Sequence, residues 1–388
     1  MTVTSPAGFR AAGVAAGLKS GGRRDVALVV NEGPLQVGAG VFTTNRVVAA
    51  PVTWTRQVVS DGVVGAAVLN SGGANACTGP DGYADTHQTA EHVAAALGIS
   101  AGDVAVCSTG LIGLPLDMPA LLPAISAAAG ALRSDGGHDA AEAIMTTDSV
   151  AKTAHATGDG WSIGGMAKGA GMLAPGLATM LCVLTTDAVL SAPVADAALR
   201  EATRVTFDRV DSDGCMSTND TVLLLASGAS GVEPSAWEFE TVLRQACAQL
   251  ARALVADAEG ASHDIAIRVH GAVNEDEAVA VGRAVARSNL FKAAVFGNDP
   301  NWGRVLSAVG TVPEHVATFD ADRVDVAING VTVCRDGGVG EDRSLVSMAE
   351  REVWVDVDLK AVADGSEATV WTNDLTHAYV HENSAYST

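Results

Sequence analysis

The chain reads as a layered α/β protein, and three features of the sequence point there. Short apolar runs at 25–30, 63–69 and 104–107 each end in a polar, glycine-bearing loop, as strands do when they deliver loops to a site. Between them lie alanine-rich stretches with helical spacing at 86–97 and 118–132, continued in style at 140–145, and these helices are expected to cover one sheet face. Composition agrees: 48% of the residues are hydrophobic but only 4% aromatic, so the core must be built of Ala, Val and Leu rather than stacked rings. At 388 residues the chain exceeds the size at which one core keeps growing, and length alone does not choose between two domains and one large layered unit.

The second half continues the pattern. Runs at 180–185 and 221–225 read as strands, and 194–205 and 237–256 as amphipathic helices, the latter expected to end near Glu259 and Gly260. Residues 263–270 alternate as a half-buried strand, 275–287 are helical, and 324–333 and 353–359 read as strands. The glycine-rich, charged segment 335–342 suits a surface hairpin.

A net charge of −21 and a pI of about 4.6 argue against nucleic acid and against an anionic membrane surface as partners. They favour a cationic small substrate only mildly, since acidity also serves solubility. The six cysteines are scattered singly, without C-x-x-C pairs or histidines at zinc spacing, so reduced thiols and no structural metal are expected. Neither a cleavable signal nor an apolar run of roughly 18 residues occurs, which gives a cytoplasmic expectation. No G-x-x-x-x-G-K-[ST] loop and no G-x-G-x-x-G turn after a strand is present, so no cofactor is expected. No G-x-S-x-G elbow accompanies His377 or His381, which disfavours a Ser-His-Asp triad.

The most informative stretch is 168–187, KGAGMLAPGLATMLCVLTTD. Gly169, Gly171, Pro175 and Gly176 suit a tight turn that delivers Thr179 onto an apolar strand. A threonine hydroxyl is a poor nucleophile, but a threonine at a chain N-terminus can use its own near-neutral α-amine as general base. A break between Ala178 and Thr179 would supply that amine.

This stretch and its surroundings resemble the ornithine acetyltransferase (glutamate N-acetyltransferase) family of arginine biosynthesis, whose members cleave themselves before a threonine in a motif KG-small-GM-x-AP-x-x-ATML. The motif runs here from 168 to 181 without a gap. The resemblance spans essentially the whole chain: NEGP at 31–34, NSGGANACTG at 70–79, CSTGLIG at 107–113, MTTD at 145–148, STNDTV at 217–222, DAEG at 257–260, FGNDPNWGR at 296–304 and HENSAYST at 381–388.

It implies an α-β-β-α sandwich of the autoprocessing, N-terminal-threonine type. Self-cleavage would yield an alpha chain of residues 1–178 and a beta chain of 179–388, the latter including a smaller α/β domain at about 240–360. Two such pairs would form a heterotetramer. The resemblance places the nucleophile at Thr179, the oxyanion hole at Thr109 and Gly110, and substrate contacts at Thr146, Lys168, Thr179, Glu259, Asn383 and Thr388. By residue type alone, Thr109 and Gly110 form an exposed strand-end turn, Lys168 would be solvated, and Thr146 would cap or end a helix. Glu259 would be a helix-end surface residue, and the C-terminal tail frayed. Ser217 to Asp220 would support the nucleophile's hydrogen bonds. The implied reaction moves acetyl from N-acetylornithine to glutamate without a cofactor, and the motifs do not separate members that also accept acetyl-coenzyme A. The rivals are an autoprocessing aminopeptidase and a metabolite-binding protein that never processes.

Overall fold

The computed structural model describes residues 1–174 and 180–385, which fall into two compact units. The first comprises Met1–Asp208 and Cys215–Asp257. Its elements are β1 (Phe9–Val14), β2 (Val26–Asn31), β3 (Val37–Phe42), α1 (Ala50–Val58), β4 (Ala66–Ser71), α2 (Gly79–Leu97), β5 (Val104–Thr109), α3 (Met118–Gly130) and α4 (Gly137–Ala143). They continue with β6 (Lys152–Thr157), β7 (Ser162–Lys168), β8 (Leu181–Thr186), α5 (Ala192–Arg204), β9 (Thr221–Ala226) and α6 (Ala236–Ala256).

Two sheets form the centre of this unit, with strand orders β1-β2-β4-β5 and β3-β9-β8-β7-β6. Strands β2, β4, β5, β8 and β9 are buried at every position, because each has a neighbouring layer on both faces. Val29, Leu69 and Cys107 of one sheet share a core with Met166, Val183 and Leu223 of the other, and Ala140, Ala143 and Ile144 of the α4 segment enter it as well. The outer face of the first sheet packs Leu28, Val68 and Val106 against Val93 of α2 and Leu121 and Ile125 of α3. Helices α5 and α6 lie against the second sheet. The order is therefore helix, sheet, sheet, helix, as expected.

The second unit comprises, among the described residues, 209–214 and 258–385. It contains β10 (Asp264–Ala272), α7 (Glu275–Ala286), α8 (Asn289–Phe296), α9 (Trp302–Val309), β11 (Asp325–Ile328), β12 (Val331–Arg335), β13 (Gly338–Val339), β14 (Glu352–Asp358), β15 (Ser366–Asn373) and α10 (His377–Ala385). One six-stranded sheet, β13-β12-β11-β14-β10-β15, buries Ile265, Ile267, Val355 and Val370 against Val281, Phe291 and Val305 of the helices. Among the described residues, no helix is long and apolar enough to cross a membrane.

Several expectations are corrected in detail. The run 324–333 is a hairpin of β11 and β12 rather than one strand, because Asn329 and Gly330 take φ of 46° and 83°, the geometry of a tight two-residue turn. The helix expected from 86 begins at Gly79, with proline in its first turn, and α6 stops at Ala256 rather than near Glu259. Of the tail expected to be frayed, the described part, up to Ala385, is helical with no buried residue.

Candidate active site

Strand β5 runs two residues past the expected end at 107, so Thr109 is its last residue and only 4% exposed. The exposed-turn reading of Thr109 is thus corrected, since its backbone is paired with Ser71 of β4 and accepts from Gly72 N–H at 2.9 Å. Its hydroxyl makes no hydrogen bond among the described residues, and so remains available. Gly110 follows with φ of 131°, outside the range of L side chains. A Cβ there would also lie 2.6 Å from Gly73 N, so two glycine-bearing loops meet backbone to backbone.

Long-range hydrogen bonds hold this corner. Asn219 Nδ2 donates to the carbonyls of Ser108 (2.8 Å) and Ala74 (2.6 Å), tying the STND loop to both. Asn70 Nδ2 donates to Gly73 O at 3.1 Å, and Asn70 Oδ1 accepts from the Ser108 hydroxyl at 2.6 Å. Ser71 Oγ donates to Ala143 O at 2.6 Å, linking β4 to the end of α4 and thus to the MTTD segment.

That segment carries a buried charge cluster. Lys168, at the end of β7, is 1% exposed rather than solvated, and its Nζ donates to Thr146 Oγ1 at 3.2 Å. Thr146 lies past the end of α4 and so does not cap that helix's N-terminus. Asp148 organises the cluster: Oδ2 accepts from Thr146 N–H (2.9 Å), while Oδ1 accepts from Gly169 N–H (2.7 Å) and Lys152 Nζ (2.6 Å). Lys152 Nζ also donates to Asp257 Oδ2 at 2.5 Å. Burial alone would raise the Asp148 carboxyl, but Lys168, Lys152 and the Gly169 N–H outweigh it and hold it below the ordinary carboxylate value. Neither Asp148 nor Lys152 was singled out from sequence, because Lys168, whose burial calls for a carboxylate nearby, reads as solvated there.

The predicted nucleophile Thr179, the cleavage residue Ala178 and the substrate contact Thr388 lie outside the described residues. On the far side of the gap, Met180 N–H donates to Asp220 Oδ1 at 3.0 Å, and Leu181 pairs with Lys168 and Thr221. Asp220 is fully buried; burial pushes its carboxyl well above the ordinary value, against the Met180 N–H, the Ser217 hydroxyl and Lys168, which lower it. The first unit thus brings Thr109, Gly110, Thr146 and Lys168 onto loops and strand ends joined by direct hydrogen bonds. Within the second unit, Asn383 of α10 donates to Glu259 Oε2 at 2.9 Å, and Gly260 packs its backbone against Ala378 and Tyr379, so those two predicted contacts also sit together. Among the described residues, no group of three or more His, Cys, Asp or Glu is arranged to hold a metal.

A two-sheet sandwich with glycine-held backbone and buried lysines beside the 168–181 motif suits an acyltransferase. Residues 10–388 match the ArgJ family. The chain is 63% identical over 387 residues to the arginine biosynthesis bifunctional protein ArgJ of Streptomyces coelicolor, with 100% of each chain covered. It is 54% identical to the protein of that name from Mycobacterium leprae, covering 99% of this chain and 95% of that one. A crystal structure of ornithine acetyltransferase complexed with ornithine from Mycobacterium tuberculosis shares 57% identity, covering 46% of this chain and 96% of the other, with a TM-score of 0.45. The chain belongs to the ArgJ family. It is an acyltransferase of arginine biosynthesis, as the resemblance implied.

Proposed function

We propose that the chain cleaves itself between Ala178 and Thr179 and then carries acetyl from N-acetylornithine to glutamate on the Thr179 hydroxyl. The observation that supports this most directly is the uninterrupted 168–181 motif, both ends of which are anchored to buried acids: Gly169 N–H to Asp148 and Met180 N–H to Asp220.

In this reading the new α-amine of Thr179 takes the hydroxyl proton as Oγ1 attacks the acetyl carbonyl. The tetrahedral oxyanion is held by the Thr109 hydroxyl and the Gly110 N–H. Collapse breaks the C–N bond, the amine passes its proton to the departing nitrogen, and ornithine leaves with acetyl-Thr179 behind. The neutral amine of glutamate attacks the ester, the same donors hold the second oxyanion, and the released Thr179 oxygen regains a proton. Lys168 and Thr146 bind the α-carboxylate common to both amino acids, while Glu259 meets the ornithine side-chain ammonium, with Asn383 and Thr388 completing the substrate contacts. Acetyl-coenzyme A as donor would use the same acetyl-Thr179. The cleaved halves remain packed, and two such pairs form the tetramer.

Intact mass under denaturing conditions, with N-terminal sequencing, tests the first step. Two chains, one beginning Thr179-Met180-Leu181, are expected from the unaltered protein and one full-length, inactive chain from Thr179→Ala. Normal turnover by the alanine variant would refute the mechanism.

A further inference from the structure

We propose that Lys19 binds the side-chain carboxylate of the acidic acceptor; the assignment rests on the acetyl-transfer reading above. Lys19 belongs to none of the motifs on which that reading stands, yet the fold delivers it to the same place. The loop before β2 is pinned by the buried Asp25, whose carboxylate accepts from the backbone N–H groups of Ala16 (2.5 Å), Gly17 (3.1 Å) and Lys19 (3.0 Å). Leu18 packs on Gly72, where φ is 118° and a Cβ would lie 2.8 Å from the Leu18 carbonyl oxygen. Gly72 and Gly73 in turn pack on Gly110. Three backbone segments are therefore stacked without intervening side chains, and the outermost projects Lys19 so that its Nζ donates to Met145 O at 2.8 Å. Lys168 donates to the next residue, Thr146. The two ammonium groups thus bind consecutive residues, whose Cα atoms are ~3.8 Å apart.

The partners of Lys19 are incomplete. An ammonium has three donors, and among the described residues that of Lys19 makes one hydrogen bond, to a neutral carbonyl. No carboxylate oxygen among the described residues lies within 4.0 Å of it, whereas Lys152 has two. The side chain is half-buried, with Arg23 and Lys168 adding like charge around it and Asp25 and Asp148 opposite charge beyond hydrogen-bond reach. A half-withdrawn cation with spare donors, in a chain of net charge −21, is a site for an anion that arrives from outside. The substrates identify that anion. Both amino acids carry an α-carboxylate, but only glutamate brings a second negative charge, whereas the ornithine side chain is cationic. A spare lysine is complementary to the acceptor alone.

The test separates the two half-reactions. The unaltered enzyme is acetylated with N-acetylornithine, followed by intact mass, and then chased with glutamate or with glutamine, which is isosteric but uncharged. Lys19→Met is expected to raise the glutamate concentration needed for half-maximal deacetylation about ten- to a hundredfold, the loss of one charge-assisted hydrogen bond. It should erase most of the preference for glutamate over glutamine, with a much smaller effect on acetylation. Lys19→Gln, which keeps a donor for Met145 O, should behave alike, and Lys19→Arg should keep the preference. An unchanged preference in Lys19→Met, or equal losses in both half-reactions, would overturn the assignment. Failure of the unaltered enzyme to acetylate would overturn the acetyl-transfer reading, and Lys19's role with it.

Discussion

Asp148→Asn is the substitution whose consequence can be worked most fully from the structure. The Asp148 and Lys152 side chains are both 0% exposed, and the carboxylate serves three donors at once, Lys152, Gly169 N–H and Thr146 N–H, while the charge of Lys168 also stabilises it. An amide supplies one acceptor oxygen. Whichever way it is turned, its NH₂ faces another donor, either Thr146 N–H or the Lys152 and Gly169 pair. Lys152 keeps Asp257 as a partner, so the loss should fall below the about 3–5 kcal/mol of a fully stranded buried charge, at about 1–3 kcal/mol, which for a body of this size corresponds to a fall in Tm of roughly 2–12 °C. Lys152→Met removes the ammonium that has lost one of its two carboxylates, so the double variant should be more stable than the sum of the single losses by about 1–2 kcal/mol. Urea unfolding of the four proteins, followed by circular dichroism, measures the cycle. Additivity within about 0.5 kcal/mol would refute the claim that the half-compensated Lys152 charge is what costs stability. The sign with pH is fixed as well. Because the folded carboxyl titrates below its unfolded value, its stabilisation is complete above the ordinary pKa of ~3.9 and is lost as pH falls through the lower folded value.

Two further outcomes concern the reaction. Thr109→Ala removes a hydroxyl with no hydrogen-bond partner among the described residues, so stability should change little while the transfer rate falls by roughly two to three powers of ten; steady-state kinetics with acetylornithine reads this, and a rate within a few-fold of the original would exclude Thr109 from the oxyanion hole. Burial, and next Arg23, lower the Lys19 pKa to about 8 against the raising influence of Asp25 and Asp148, so its charge is present at pH 7 and lost through that value. The KM for glutamate should therefore rise as pH passes about 8 in the unaltered enzyme and stay flatter in Lys19→Arg, whose charge does not titrate there; parallel profiles would remove the pH prediction.

Much of the layering was legible because the strands that build it are pure apolar runs. VALVVN, AAVLNS and LCVLTT are buried on both faces, and that signal is local. Elements without it were missed. Strand β7, SIGGMAK, is buried although it contains two glycines and a lysine, because Gly164 lets the backbone of Thr2 approach and Lys168 finds its partners in the MTTD segment. Strand β3, VGAGVF, needs Gly38 because a Cβ there would lie 2.2 Å from a methyl of Val64. Glycine weakens a strand by propensity, so only the contact across the fold explains its presence.

The site divides along the same line. Thr109 and Gly110 were found as a motif, but the burial of Thr109 was misread, because strand end and turn look alike until pairing with Ser71 is known. Asp148 and Asp220 stand in quoted motifs, yet nothing local distinguishes a carboxylate that gathers backbone N–H groups from one that faces water. Their environments are created by partners 21 and 40 residues away. The same separation accounts for Lys19, whose acceptor is 126 residues distant. Glycines at 72, 73 and 110 are the link, since their lack of side chains lets the loops carrying the proposed oxyanion donors and Lys19 stack directly. A methyl group on Gly72 would have to push the Leu18 carbonyl away from 2.8 Å, and with it the loop that carries Lys19. The spacing between the two proposed functions, holding the oxyanion and reading the acceptor's charge, is thus set by backbone contact rather than by side-chain packing.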